Sequence, residues 1–191
     1  MRIVTILGSP RSHGNSTILA DALTGVAEQR GAKVARYVLN DMKVKGCQAC
    51  SACKGKSERC VVKDDLAQVL EDVVRSEVIV LATPVYWGEV SGQMKLFIDR
   101  TYSFLKPGFM DGVDMHRLPP GKKLVWIQTQ GADDAAQFGD ILPRYDRFFS
   151  QLRFFQETRV LRACGLNNVG AVNLRAELLE EARALGQSLL S

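Results

Sequence analysis

The chain has 191 residues, 46% of them hydrophobic and 24% charged, with a formal net charge of +4. That length fills one well-buried domain and is short for two, and no tract has low complexity. Lys and Arg are scattered among Asp and Glu without a long run, which argues against nucleic acid as a partner, and no apolar stretch approaches the ~20 residues that span a bilayer.

The amino terminus opens directly on a strand, Ile3 to Leu7, without the layout of a signal peptide, so a cytoplasmic location is expected. Residues 15–30 carry Ile18, Leu19, Leu23 and Val26 at helical spacing, and Gly31 stops the helix. Lys33 to Leu39 reads as a second strand, followed by a cysteine-bearing loop over 40–62. Asp64 or Asp65 is placed to cap a helix with the stripe Leu66, Val69, Leu70 and Val73. Glu77 to Ala82 is a third strand, apolar on both faces, and Ser91 to about Phe104 a helix with Met94, Phe97 and Ile98 on one side. The Pro/Gly-rich stretch 106–121 exceeds ordinary loop length and is expected to act as a lid or a subunit contact. Leu124 to Thr129, a helix around 139–151, a strand near Gln156 to Ala163 and a helix from Asn173 to Leu190 complete the chain. Five strands alternating with helices predict an open, doubly wound α/β sheet in a single domain, 1–191, with ligands at the carboxyl ends of its strands.

Those strand ends are informative. The first is followed by Gly8-Ser-Pro-Arg-Ser-His-Gly-Asn-Ser-Thr17 and then a helix, the order of an anion cradle. Ser9, Ser16 and Thr17 offer hydroxyls, Asn15 an amide and Arg11 a guanidinium. Neither the P-loop pattern nor Gly-x-Gly-x-x-Gly is present, so one monophosphate fits better than a triphosphate or a dinucleotide. His13 alone reads as a solvated donor. The third strand runs into Thr83-Pro-Val-Tyr-Trp-Gly88, where Pro84 fixes direction, Gly88 permits a turn, and Tyr86 and Trp87 can flank a polycyclic ring. The fourth ends in Thr129-Gln-Gly131, whose N–H groups and Gln130 amide suit the edge of a pyrimidine-like ring. A phosphate site, a stacking surface and polar edge contacts together describe flavin mononucleotide.

Cys47, Cys50, Cys53 and Cys60 fall within fourteen residues. Two successive x-x gaps converge three sulfurs, and a fourth follows a short polar loop, the pattern that holds a 4Fe–4S cubane. Two alternatives stay open: zinc, which more often takes Cys-x-x-Cys pairs on separate knuckles, and free or redox-cycling thiols. Cys164 reads as a small buried hydrophobe.

Gly8-Ser-Pro-Arg…Gly-Asn-Ser-Thr17, Thr83-Pro-Val-Tyr86, Ser91-Gly-Gln-Met-Lys…Ile-Asp-Arg-Thr101 and Thr129-Gln-Gly131 resemble the NADPH-dependent FMN reductase group of flavodoxin-like proteins. The cysteines, followed by Val-Val-Lys-Asp-Asp65, are similar to its iron–sulfur flavoprotein subfamily. The resemblance implies five parallel strands in the order 2-1-3-4-5. It implies that Ser9, Arg11, Asn15, Ser16 and Thr17 hold the phosphate, and that Pro84, Val85, Tyr86, Trp87, Gly88, Thr129, Gln130 and Gly131 line the isoalloxazine. It also implies cluster ligation by the four clustered cysteines and a homodimer or homotetramer. The function expected is electron transfer from a ferredoxin-like donor through cluster and FMN to a small-molecule acceptor. The alternative is an NAD(P)H-dependent FMN or quinone reductase without a cluster, in which Arg100, Lys106 and His116 are the cations available to a dinucleotide phosphate. No side-chain acid, base or nucleophile is required by either.

Overall fold

In the computed structural model, which describes residues 1–189, apolar β-branched runs become strands buried on both faces. In chain order the elements are β1 (Arg2–Leu7), α1 (Asn15–Gln29), β2 (Lys33–Val38), α2 (Leu66–Arg75), β3 (Val78–Tyr86), β4 (Glu89–Val90), α3 (Gly92–Arg100), β5 (Lys123–Thr129), α4 (Ile141–Gln151), β6 (Glu157–Ala163) and α5 (Ala176–Ser188). The expected end of the last helix, Leu190, lies outside the described residues.

Five strands pair in parallel along the path β2-β1-β3-β5-β6, the flavodoxin-like order expected. The addition is β4, two residues that fold back on β3 as an antiparallel hairpin, with Val85 opposite Val90 and Tyr86 opposite Glu89. Its connecting residues, Trp87 and Gly88, both have positive φ, the backbone of a tight two-residue turn.

Strand alternation divides the core into two layers. Val4, Ile6, Ile79, Leu81, Leu124 and Trp126 face α2, α3 and α4, while Ile3, Leu7, Val80, Val125 and Ile127 face α1 and α5. The second layer is thin where α1 and α5 cross, because a Cβ at Gly186 would lie 2.2 Å from the Leu23 carbonyl oxygen. Among the described residues no helix is long and apolar enough to cross a membrane.

Asp64 and Asp65 do not cap α2 with their side chains as expected. Asp65 takes the N-cap position, yet its carboxylate accepts from the Lys43 N–H at 2.7 Å, and Asp64 accepts from the Lys45 N–H at 2.9 Å. Both thereby fasten the start of the cysteine loop. The far end of α2 is capped by a buried cation. Lys122 Nζ donates to the carbonyls of Val73 (2.8 Å), Val74 (2.9 Å) and Ser76. Lys122→Met should therefore take a donor from three carbonyls, of which Val73 keeps the Ser76 hydroxyl (3.0 Å), and lower unfolding free energy by about 3 kcal/mol in denaturant titrations, where Lys33→Met on the exposed edge stays within about 0.5 kcal/mol.

Candidate functional site

Two cavities carry chemistry, and α3 separates them. Just before its first residue the N-cap, Ser91, accepts from the Met94 N–H (3.2 Å) and donates to the Gly8 carbonyl (2.7 Å) at the end of β1. At its last residue Arg100 reaches the cysteine loop. Nine helical residues place these ends about 14 Å apart.

The first cavity, about 190 Å³, brings together Ser9, Arg11, Gly14, Asn15 and Ser16 after β1, Pro84, Val85 and Tyr86 from β3, and Thr129, Gln130 and Gly131 after β5. The first turn of α1 carries no acidic side chain and no side-chain cap. Ser16 Oγ is buried with no hydrogen-bond partner among the described residues. An orphaned hydroxyl at the positive end of a helix dipole fits a bound phosphate. Gly14 keeps the cradle open: a Cβ there would stand 2.3 Å from Ser9 Oγ.

Several expected donors are engaged elsewhere. Asn15 Nδ2 donates to the carbonyls of Leu166 (3.1 Å) and Asn168 (2.9 Å), and its Oδ1 accepts from the Val172 N–H (3.1 Å). Its amide therefore ties down the segment after β6. Gln130 Nε2 holds the carbonyls of Ala132, Asp134 and Gln137, and its Oε1 accepts from Arg162 (2.9 Å), so its side chain shapes the following loop and is not free for a ring edge. Ser9 Oγ exchanges hydrogen bonds with Arg11 N and O, which bends the loop. Thr17 is buried within α1 and does not line the cavity. Trp87 and Gly88 do not line it either: the hairpin turn carries Trp87 into solvent at 105% exposure and sets Gly88 beside Phe138. Leu166 and Asn167 do line it and were not expected; the signal for them was the Gly165-Leu-Asn-Asn168 run at the end of yet another strand.

The second cavity, about 250 Å³, is lined by all four clustered cysteines with Val61, Val62, Arg100, Tyr102 and Ser103. The thiols are free; Cys47 and Cys50 are exposed, Cys53 and Cys60 half-buried. Ala49 and Ser51, on either side of Cys50, both hold left-handed backbone (φ 49° and 54°), a cost of roughly 1 kcal/mol or more each that winds the loop tightly. Among the described residues no three His, Cys, Asp or Glu side chains converge on a point that one ion could occupy. All four cysteines nevertheless stand around this one cavity. Cys164 is half-buried, not fully buried as expected.

Cations stand at this ring. Arg100 is fully buried; its Nε donates to Cys60 Sγ at 3.2 Å, and its terminal nitrogens bind Asp64 (2.7 and 3.2 Å) and the carbonyls of Lys45 and Val62. It is therefore not available to a dinucleotide phosphate. Burial works against its charge, but the bonds to Asp64 and the Cys60 sulfur outweigh that and raise its pKa. Burial also pushes the Asp64 carboxyl up, and the Arg100 contacts and the Lys45 N–H outweigh it to leave the pKa below 3.8. Lys54 Nζ donates to Cys53 Sγ (3.4 Å) and the carbonyls of Tyr102 (2.7 Å) and Leu105 (2.9 Å), above the Tyr102 ring. Arg117 donates to the Cys53 carbonyl (3.1 Å). The helical period gives a signal for Arg100, three residues beyond Phe97 on the core side.

The 106–121 stretch contributes Arg117 to the cysteine loop but no residue to the first cavity. Lys106 pairs with Asp114, and His116 Nε2 lies 2.9 Å from the Arg153 carbonyl. With Pro119, Pro120, Phe155 and Gln156 it lines a cavity of about 550 Å³ where β5 and β6 begin, the opposite end of the sheet from the cradle.

The chain's first 132 residues match the family model of the NADPH-dependent FMN reductases. This chain belongs to that family. An iron–sulfur flavoprotein of Archaeoglobus fulgidus is 40% identical over 100 residues, which cover 52% of this chain and 45% of the relative, so the match spans about half the length of each. In fold the chain is similar to an NAD(P)H:quinone oxidoreductase from Methanothermobacter marburgensis, with TM-score 0.75, 16% identity and coverage of 99% and 96% of the two chains. It is also similar to an FMN-dependent NADH-azoreductase from Bacillus anthracis solved with FMN, with TM-score 0.72, 14% identity and coverage of 100% of both chains. At these identities the solved structures bear on the fold alone.

The Arg100–Asp64 pair makes stability depend on pH. Because the folded pKa of Asp64 is depressed, its contribution is fully present above about pH 4 and is lost as pH falls through the folded value. Asp64→Asn should cost about 3 kcal/mol at pH 7, and unfolding free energies measured from pH 7 downward should show a shallower acid decline than in the wild type.

Proposed function

We propose that this chain is an FMN-dependent oxidoreductase that transfers electrons between a 4Fe–4S cluster on Cys47, Cys50, Cys53 and Cys60 and a flavin in the strand-end cradle. The observation that carries this reading is the lining of one cavity by all four free cysteines, in a chain of an FMN reductase family. The name of the archaeal relative supports it. When bound, FMN stores one or two electrons and the cluster passes them singly.

The protein's own part is to bind, orient and exclude water. The first turn of α1, Ser16 Oγ and Arg11 would hold the phosphate, and Pro84, Val85 and Tyr86 would flank the ring on one side with Thr129 and Gly131 on another. The Gln130 and Asn15 side chains fix the loops that carry these contacts. The ferredoxin-like donor expected from the resemblance agrees with the exposure of Cys47 and Cys50, which leaves that edge open to a protein partner. A homo-oligomer is supported by Trp87 at the rim of the cradle, whose indole is left entirely in water by one chain alone.

A second reading, a reductase fed by NAD(P)H without a cluster, is favoured by the family's description. The burial of Arg100 and the Lys106–Asp114 pair count against the cations it would have used. Visible spectra separate the two. A broad shoulder beside the flavin bands that bleaches with a one-electron reductant supports the cluster. Fast flavin bleaching by NADPH without that shoulder supports the second.

Cys50→Ser should remove the shoulder and leave FMN bound, because the cradle is built on other loops; loss of flavin as well would contradict two separate sites. Arg11→Ala should weaken FMN by about tenfold and leave riboflavin affinity unchanged in fluorescence titrations, since Arg11 would act through the phosphate. An equal loss for riboflavin would refute that role.

A further inference from the structure

The four sulfurs of the cysteine cavity are not equivalent. Cys47 and Cys50 are exposed and accept no hydrogen bond from a cationic side chain among the described residues. Cys53 accepts from Lys54 Nζ at 3.4 Å, and Cys60 from Arg100 Nε at 3.2 Å. We infer that Lys54 and Arg100 set the reduction potential of the cluster and draw the electron it accepts toward the Cys53–Cys60 side. The inference rests on the cluster reading above.

The sign follows from charge. One electron added to a cluster already bearing four thiolates increases its negative charge by one, and cationic N–H donors at the sulfur stabilise that state more than the oxidised one. At Arg100 the interaction is strong because its side chain has 0% exposure, whereas Lys54 and Cys53 are half-buried.

The two cations are not equally compensated. Asp64, at 2.7 Å, cancels much of the Arg100 charge. Around Lys54 the partners are two neutral carbonyls, the Tyr102 ring and the Cys53 sulfur, while Arg117 adds a further cation through the Cys53 carbonyl. Lys54 is therefore the stronger determinant of the potential. Arg100 acts chiefly as a positioning residue that holds Cys60 through the loop segment 62–64. The exposed Cys47–Cys50 edge, which accepts no hydrogen bond from a cationic side chain among the described residues, is left as the side through which electrons enter and leave.

The test uses the full chain, isolated anaerobically and reduced stepwise with dithionite and redox mediators, the reduced cluster being counted by electron paramagnetic resonance. Lys54→Met and Lys54→Gln should keep iron and sulfide. At a fixed potential each should lower the ratio of reduced to oxidised cluster about tenfold, equivalent to about 59 mV for one electron. Lys54→Arg should restore most of that ratio. The FMN couple should stay in place in all three, because the cradle lies beyond the other end of α3. Arg100→Lys should shift the ratio less than Lys54→Met does. An intact cluster with an unshifted ratio in both neutral variants overturns the inference alone, and loss of the cluster in both overturns it in favour of a structural role for Lys54. A wild-type chain without iron and sulfide overturns the cluster reading and this inference with it.

Discussion

Arg100 is a permanent positive charge held out of water, and the architecture around it is arranged to compensate for that. Its guanidinium spends its donors on Asp64, on two backbone carbonyls and on the Cys60 sulfur, so the start of the cysteine loop at Lys45 and its end at 60–64 meet at one side chain. It acts with the Asp64 and Asp65 bonds, Lys54 and Arg117 to define a cysteine loop that contains no helix longer than three residues and buries none of its cysteines fully. The same interaction explains why Asp64 turns away from α2, while Asp65 is drawn off by the Lys43 N–H. A carboxylate facing a buried guanidinium and backbone N–H groups gains more than a helix cap provides.

The two cavities follow different chemical rules. The cradle at the strand ends is built from backbone and small residues, and its polar side chains largely shape loops: Asn15 and Gln130 are saturated, leaving Ser16 Oγ as a buried group without a partner among the described residues. Such a site recognises an anion by geometry and helix dipole. The cysteine cavity is the reverse, a lining of free thiols whose surroundings supply charge. Helix α3 lies between them, capped by Ser91 at the cradle and ended by Arg100 at the sulfurs.

Much of this was legible in the sequence. Both-face apolar strands, helical stripes and a glycine-rich first loop specify a doubly wound sheet almost without ambiguity, and the strand order follows from the family resemblance. What the one-dimensional pattern did not reveal was where polar side chains spend their hydrogen bonds. Asn15 looks like a phosphate donor from its position, yet its partners at 166, 168 and 172 lie more than 150 residues away. Trp87 looks like a stacking platform, but a two-residue hairpin, set by the left-handed conformations at 87 and 88, rotates it outward. Arg100 reads as a surface cation at the end of an amphipathic helix until its counterion from another segment is seen.

The most direct test of the account is the cofactor content of the chain prepared without oxygen. The arrangement of two separate cavities predicts about four iron and four acid-labile sulfide per chain together with about one FMN. Flavin with no sulfide, or with about one zinc in place of iron, would contradict it.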